Sequence, residues 1–170
     1  MLNTITNYDD RISAGKERES FIIDAMIARG FKIERPTAHQ DMKDKIDGVI
    51  LPKAGGKLSF QLKFREHRND IIFEIIKDWD RNILGRDLIS KADLYVIVEP
   101  NGELNVYATK EIKDKAHELL ALADKNPVNQ EGFGYQLKFT LDKAHGQKKL
   151  MGFFNKSLFA SKFHFRIPNY

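Results

Sequence analysis

The sequence predicts an α/β protein: a mixed central β-sheet flanked by helices, with a C-terminal β-rich extension. Three patterns carry that prediction. Residues 15–29, GKERESFIIDAMIAR, set Ile22, Ile23, Met26 and Ile27 at the spacing of an amphipathic helix. Residues 57–66, KLSFQLKFRE, alternate Leu58, Phe60, Leu62 and Phe64 with Ser59, Gln61, Lys63 and Arg65, the period of a strand with two unlike faces. Residues 110–125, KEIKDKAHELLALADK, return to helical periodicity. A helix, a cluster of strands and another helix suggest a sheet with helices packed on it.

The elements follow in order. Ser13 is a candidate N-cap for the first helix, and Gly30 stands where a C-terminal Gly belongs. FKIERPT is a short extended segment stopped by Pro36, and TAHQDMKDK (37–45) reads as a polar loop. IDGVILP, the turn KAGG and the strand 57–66 make a β-hairpin. NDIIFEIIKDW fits a strand or a helix. ILGRDLISKA reads as a short helix, and DLYVIVEP as a buried strand with Tyr95, Val96, Ile97 and Val98 in the core; NGELNVYATK completes a second hairpin. GYQLKFTLD and KFHFRIP are further strands, with KKLMGFFNKSLFAS unassigned between them; Trp79 fits a core or an interface. No repeat or linker divides the chain, so residues 1–170 form one domain, with a core over 1–125 and the extension over 126–170.

Composition narrows the function classes. Hydrophobic residues are 42% and charged residues 31%, as in globular proteins. No apolar run is long enough to cross a membrane, and MLNTITNYDDRISAGKERES lacks a signal-peptide core. The absence of Cys excludes disulfides, thiolate metal sites and cysteine nucleophiles, and an intracellular protein, cytoplasmic or nucleoid-associated, is expected. There is no Gly-rich phosphate loop, GxSxG elbow or HExxH pair. The net charge is +4, and residues 126–170 hold seven Lys/Arg against two Asp/Glu together with nine of the eighteen aromatics. Basic plus aromatic suits a nucleic-acid surface, where cations meet phosphates and rings stack on bases; it suits equally a packed segment with a solvated basic face.

The strand 57–66 carries Gln61 and Lys63 on one face, and Asp47 lies fourteen positions before Gln61 across the KAGG turn. Adjacent strands are about 4.8 Å apart, so Asp47 can sit beside Gln61. Glu19 continues the stripe of Ile22, Ile23, Met26 and Ile27. A carboxylate on a core-facing stripe is costly without a partner, and a cation at the helix–sheet junction would supply one. Two carboxylates, an amide oxygen and an ammonium suit Mg2+ chemistry on a phosphodiester: the cation neutralises charge on phosphorus and acidifies water, and Lys63 orients that water or stabilises the developing charge. Singly, each residue has a plainer reading: Asp47-Gly48 as a turn, Lys63 as a solvated strand residue, Glu19 as a partner of Lys16 or Arg18.

The ordered set Glu19, Asp47 and Gln61-Leu62-Lys63 resembles the PD-(D/E)xK nuclease superfamily, in which a helix Glu, a strand Asp and an acid-x-Lys follow in that order. GKERESFIIDAMIARGFKI is similar to the opening helix and Gly-Phe strand start of Holliday junction resolvases in that superfamily. The resemblance covers roughly residues 15–65. Ile46 replaces the usual Pro, and Gln61 stands where an acid is expected. An amide oxygen ligates Mg2+ without bringing charge, and the homing-type endonucleases are similar in using Gln there; Glu74 is a candidate substitute acid.

The resemblance implies a restriction-endonuclease-like core and Mg2+-dependent hydrolysis of DNA, with Mn2+ as substitute. Asp47, Gln61, the Leu62 carbonyl and Glu19 would hold the metal, and Lys63 would position the attacking water. Lys16, Arg18, Arg65 and Arg68 would contact the phosphodiester backbone, with His67 as an auxiliary proton carrier. Cutting both strands needs two sites, so a homodimer or a dimer of dimers is expected. Sequence-specific duplex cleavage of restriction or homing type is the leading expectation. A branched-junction resolvase and a catalytically silent nucleic-acid-binding module are the alternatives.

Overall fold

The computed structural model describes residues 8–65, 70–123 and 134–167. The opening stripe becomes helix α1, Tyr8–Ala28. It begins upstream of the expected cap, so Ser13 lies inside the helix. Nothing from Tyr8 onward stops it: there is no Pro, and Gly15 costs only about 1 kcal/mol of propensity. Gly30 ends it with φ +92°, and the Phe31 N–H closes back on the Met26 carbonyl at 3.2 Å. Ile22, Ile23 and Met26 are buried as their spacing requires, while Ile27 stays exposed.

The central sheet runs β1 (Ile33–Glu34), β2 (Gly48–Ile50), β3 (Leu58–Phe64), β6 (Leu94–Val98), β7 (Glu103–Ala108) and β10 (Phe163–Arg166) in that spatial order. It is mixed: β3 and β6 are parallel, and the other neighbours are antiparallel. Both expected hairpins form, with Gly55 and Gly56 at positive φ in the first turn. The segment of uncertain type is a strand, β4 (Ile71–Asp78). It does not join the central sheet. It pairs with β5 (Ile83–Leu84) and β9 (Gln147–Phe154), and β8 (Tyr135–Asp142) completes a second, antiparallel sheet in the order β5-β4-β9-β8. Helices α2 (Arg86–Ile89) and α3 (Thr109–Ala123) follow β5 and β7.

Both faces of the central sheet are covered. Phe60, Leu62, Val96, Leu104 and Val106 pack under Ile22, Ile23 and Met26 of α1. On the other face Tyr95, Ile97 and Tyr107 meet Ile71, Phe73, Ile75 and Phe154 of the second sheet and Ile112, Ala116 and Leu119 of α3. The face of β3 that carries Gln61 and Lys63 therefore looks into an interior layer. A parallel pair buried on both sides reads as the near-continuous apolar run seen in β6.

Two expectations change. Residues 37–45 are not a loop: a π-helical turn spans Gln40–Asp44. Thr37 and Gln40 form a reciprocal capping box, with the Thr37 N–H donating to Gln40 Oε1 at 2.9 Å and the Gln40 N–H to Thr37 Oγ1 at 3.3 Å. The C-terminal aromatics that are described serve packing. Phe154 is fully buried, Phe163 and Phe165 stack on Phe31 at 5.8 and 5.4 Å, and Phe139 meets Trp79 edge-on at 4.8 Å.

Gly85 sets where α2 sits. Its N–H donates to the Ile75 carbonyl at 2.8 Å, and a Cβ there would lie 2.1 Å from the Glu74 carbonyl oxygen. Backbone cannot swing aside as a side chain can, so Gly85→Ala should lower unfolding free energy by about 1–3 kcal/mol. Gly15→Ala, with open space around its Cβ in α1, should raise it by about 0.5–1 kcal/mol. Urea denaturation of both variants measures the contrast.

Candidate active site

Asp47 enters the site through strand register. Gly48 pairs with Phe60, Val49 with Ser59 and Ile50 with Leu58, and one further step sets Asp47 opposite Gln61. Opposed residues on neighbouring strands share a sheet face. Asp47 is 5% exposed, and its Oδ2 accepts the Leu62 N–H at 2.6 Å. Burial pushes its carboxyl up, against the opposing pull of the Leu62 N–H, Arg86 and Lys63.

Glu19, on α1, is half-buried and feels the Asp47 charge. Burial pushes its carboxyl up to about 7, and the negative charge of Asp47 is the next largest cause. The helix acid and the strand acid therefore lie within electrostatic reach. Asp41, from the π-helical turn, raises both carboxyls further. Arg86 lowers both, and its guanidinium stands 4.0 Å from Asp47 Oδ1 with the side chain 46% exposed. Neither Asp41 nor Arg86 was legible as a site residue. One sat in a segment that reads as a loop, and the other in a short helix with no motif.

The amide and the ammonium meet a third acid, which the sequence does not announce. Gln61 is 0% exposed, and its Nε2 donates to Asp87 Oδ1 at 3.1 Å. Lys63 Nζ lies 2.7 Å from the same oxygen. The other oxygen of Asp87 accepts the Glu74 N–H at 2.7 Å, with the Tyr95 hydroxyl oxygen 3.2 Å away. Tyr95 pairs with Gln61 across β3 and β6, and the single proton of its hydroxyl goes to the Ile72 carbonyl at the shorter distance, 2.6 Å, bridging the two sheets. A carboxylate only accepts, so the amide nitrogen must face Asp87 and the oxygen must point elsewhere. That oxygen, Gln61 Oε1, is buried and has no hydrogen-bond partner among the described residues.

The remaining expected residues are placed as follows. Leu62 lies between Gln61 and Lys63 with its side chain in the α1-facing core. Glu74 does not stand in for the missing acid: its Oε1 accepts the Arg86 N–H at 2.8 Å, and its Oε2 is 3.4 Å from Lys149. Lys16 is exposed beside Glu19, whose carboxyl it lowers. The Arg18 guanidinium lies over the Phe64 ring at 5.0 Å. Arg65 is committed to Asp70, with its Nε 2.8 Å from Oδ1. His67 and Arg68 fall outside the described residues.

These donors fit a small hard cation. An orphaned amide oxygen costs free energy unless something binds it, and two mutually repelling carboxylates gain most from positive charge. Among the described residues no group of three or more His, Asp or Glu side chains gathers as a metal-ligand set. No protein-family model, curated protein or solved structure matches this chain.

The raised Glu19 carboxyl has a consequence for stability. Its value in the fold, about 7, exceeds the ordinary 4.5, so the folded state holds a proton that the unfolded chain releases. The neutral acid's contribution is complete below about pH 4.5 and is lost as pH rises through about 7. Without divalent cation, Glu19→Gln should remove a fall in thermal midpoint between about pH 5 and 8 that wild type shows. Thermal scans across that range in EDTA check the difference.

Proposed function

We propose that this chain hydrolyses phosphodiester bonds in DNA with Mg2+, Mn2+ substituting, as an endonuclease of PD-(D/E)xK type. The observation that carries the reading is the buried, unpartnered Gln61 Oε1, opposite Asp47 in register and backed by the Glu19–Asp47 coupling. Glu19, Asp47 and Gln61, with the Leu62 carbonyl, would hold the cation. When bound, Mg2+ supplies positive charge to the phosphate oxygens and acidity to nearby water.

The chain's own groups divide the remaining work. Lys63 spends one ammonium N–H on Asp87 and keeps the others for water and a phosphate oxygen. Its charge balances the negative charge that grows on phosphorus as the water oxygen bonds to it and the bond to the leaving oxygen breaks. Glu19 orients the attacking water and accepts its proton. Arg86, half-exposed beside Asp47, and the exposed Lys16 would meet the phosphate backbone.

Sequence-specific duplex cleavage of restriction or homing type remains the proposed activity, supported by the Gln variant of the motif. The packed C-terminal aromatics withdraw the second support for it, stacking on bases. Cleavage of a branched junction by a resolvase is the alternative, supported by the opening-helix resemblance. A silent DNA-binding module is favoured by one observation, the engagement of Lys63 with Asp87. Two-fold assembly of the chain is proposed for double-strand cutting.

Incubating the protein with supercoiled plasmid and with a synthetic four-way junction, in Mg2+ or in EDTA, separates these readings. The endonuclease reading expects Mg2+-dependent cutting of one substrate. Lys63→Ala should slow it by about 100-fold or more while DNA binding persists. Binding without cutting in either Mg2+ or Mn2+ would leave only the silent module, and cutting that survives EDTA would remove the cation from the account.

A further inference from the structure

The motif acid is missing at position 61, yet a carboxylate stands one hydrogen bond behind it. Asp87 is 2% exposed and enclosed by a layer of apolar side chains. A buried charge of this kind is retained only when its oxygens are satisfied. Three donors do so here: Gln61 Nε2 at 3.1 Å, Lys63 Nζ at 2.7 Å and the Glu74 N–H at 2.7 Å, with the Tyr95 hydroxyl close by at 3.2 Å. The backbone contact pins one oxygen, while both site side chains share the other. Gly85 and the Glu74 cap on Arg86 hold α2, and with it Asp87, against β4.

Resting on the cation reading above, we infer that Asp87 is a positioning residue that acts through Gln61, fixing the amide's rotamer and polarising Oε1 into a ligand able to replace the missing acid. Two physical effects combine. Flipping the amide would bring its oxygen against an acceptor-only carboxylate, so the oxygen cannot turn inward. Donating Nε2–H to a full negative charge also increases electron density on Oε1, as a carboxylate behind a metal-bound imidazole raises that ligand's basicity. The site thus receives the influence of a third carboxylate without placing a third charge beside Glu19 and Asp47, whose carboxyls already repel. Asp87 touches neither cation nor substrate in this arrangement.

Mn2+ binding to the full-length chain, measured by calorimetry without DNA, tests the inference independently of activity. Asp87→Asn should weaken Mn2+ binding by about 10-fold or more, because the new amide no longer dictates which way Gln61 turns. In a Gln61→Glu background the same Asp87→Asn change should cause no loss, since the introduced carboxylate binds directly and escapes a repelling neighbour. Equal losses in both backgrounds, or no loss with Gln61 present, overturn the role of Asp87 while leaving the cation site standing. No Mn2+ binding by wild type overturns both. Circular dichroism and thermal scans confirm that each variant folds. Should Asp87→Asn fail to fold, the wild-type chain still decides: the Gln61 side-chain amide signals, assigned by their loss in Gln61→Glu, should shift on Mg2+ addition. Unmoved signals contradict the inference.

Discussion

Burying the polar face of β3 forces the rest of the site into being. Gln61 and Lys63 lie on the sheet face that the second sheet and α3 cover, so water cannot satisfy the buried Gln61 amide and reaches Lys63 only in part. Their partner has to come from the covering layer, and Asp87 on α2 is that partner. One carboxylate then sets several things at once. It anchors the ammonium, orients the amide and ties α2 to β4 through the Glu74 N–H. Removing one member of such a buried set leaves the others uncompensated, which costs more than any single contact contributes. The second sheet thus encloses this set, although none of its strands carries Glu19, Asp47, Gln61 or Lys63.

The other half of the site carries acids displaced mainly by burial. Burial raises the Glu19 and Asp47 carboxyls, the Asp47 charge raises Glu19 further, Asp41 adds to both, and Arg86 offsets part of this from a half-exposed position. Keeping these acids charged opposes the fold's own stability. Stability and function pull apart at such a point: the interior polar set around Asp87 is satisfied, while the acids at the helix–sheet junction and the Gln61 oxygen are not.

How much of this could be read from the sequence depended on range. Local periodicity placed α1, β3, β6, β7 and α3, and the turn Gly55-Gly56 fixed a register that put Asp47 opposite Gln61. The stripe through Ile22, Ile23 and Met26 carried Glu19 to the junction because helical spacing is rigid. Asp87 was not readable, since it lies 26 residues from Gln61 in a four-residue helix and meets it only through tertiary packing. The assignment of β4 to a second sheet failed to show for the same reason, its partner β9 being distant in sequence. The capping box at Thr37 and Gln40 is local, yet the polar segment around it has the composition of a loop. In the C-terminal segment the same Lys and Phe pattern fits a DNA surface or a core face, and only the packing of Phe154, Phe163 and Phe165 distinguishes them.

The account stands on one cation at the meeting of α1, β2 and β3. Anomalous diffraction from crystals soaked in Mn2+ addresses that most directly. A peak within bonding distance of Gln61 Oε1 and the Glu19 and Asp47 carboxylates is the expected result. A Gln61 oxygen paired with a protein donor, with Mn2+ absent or bound on another surface, would contradict it.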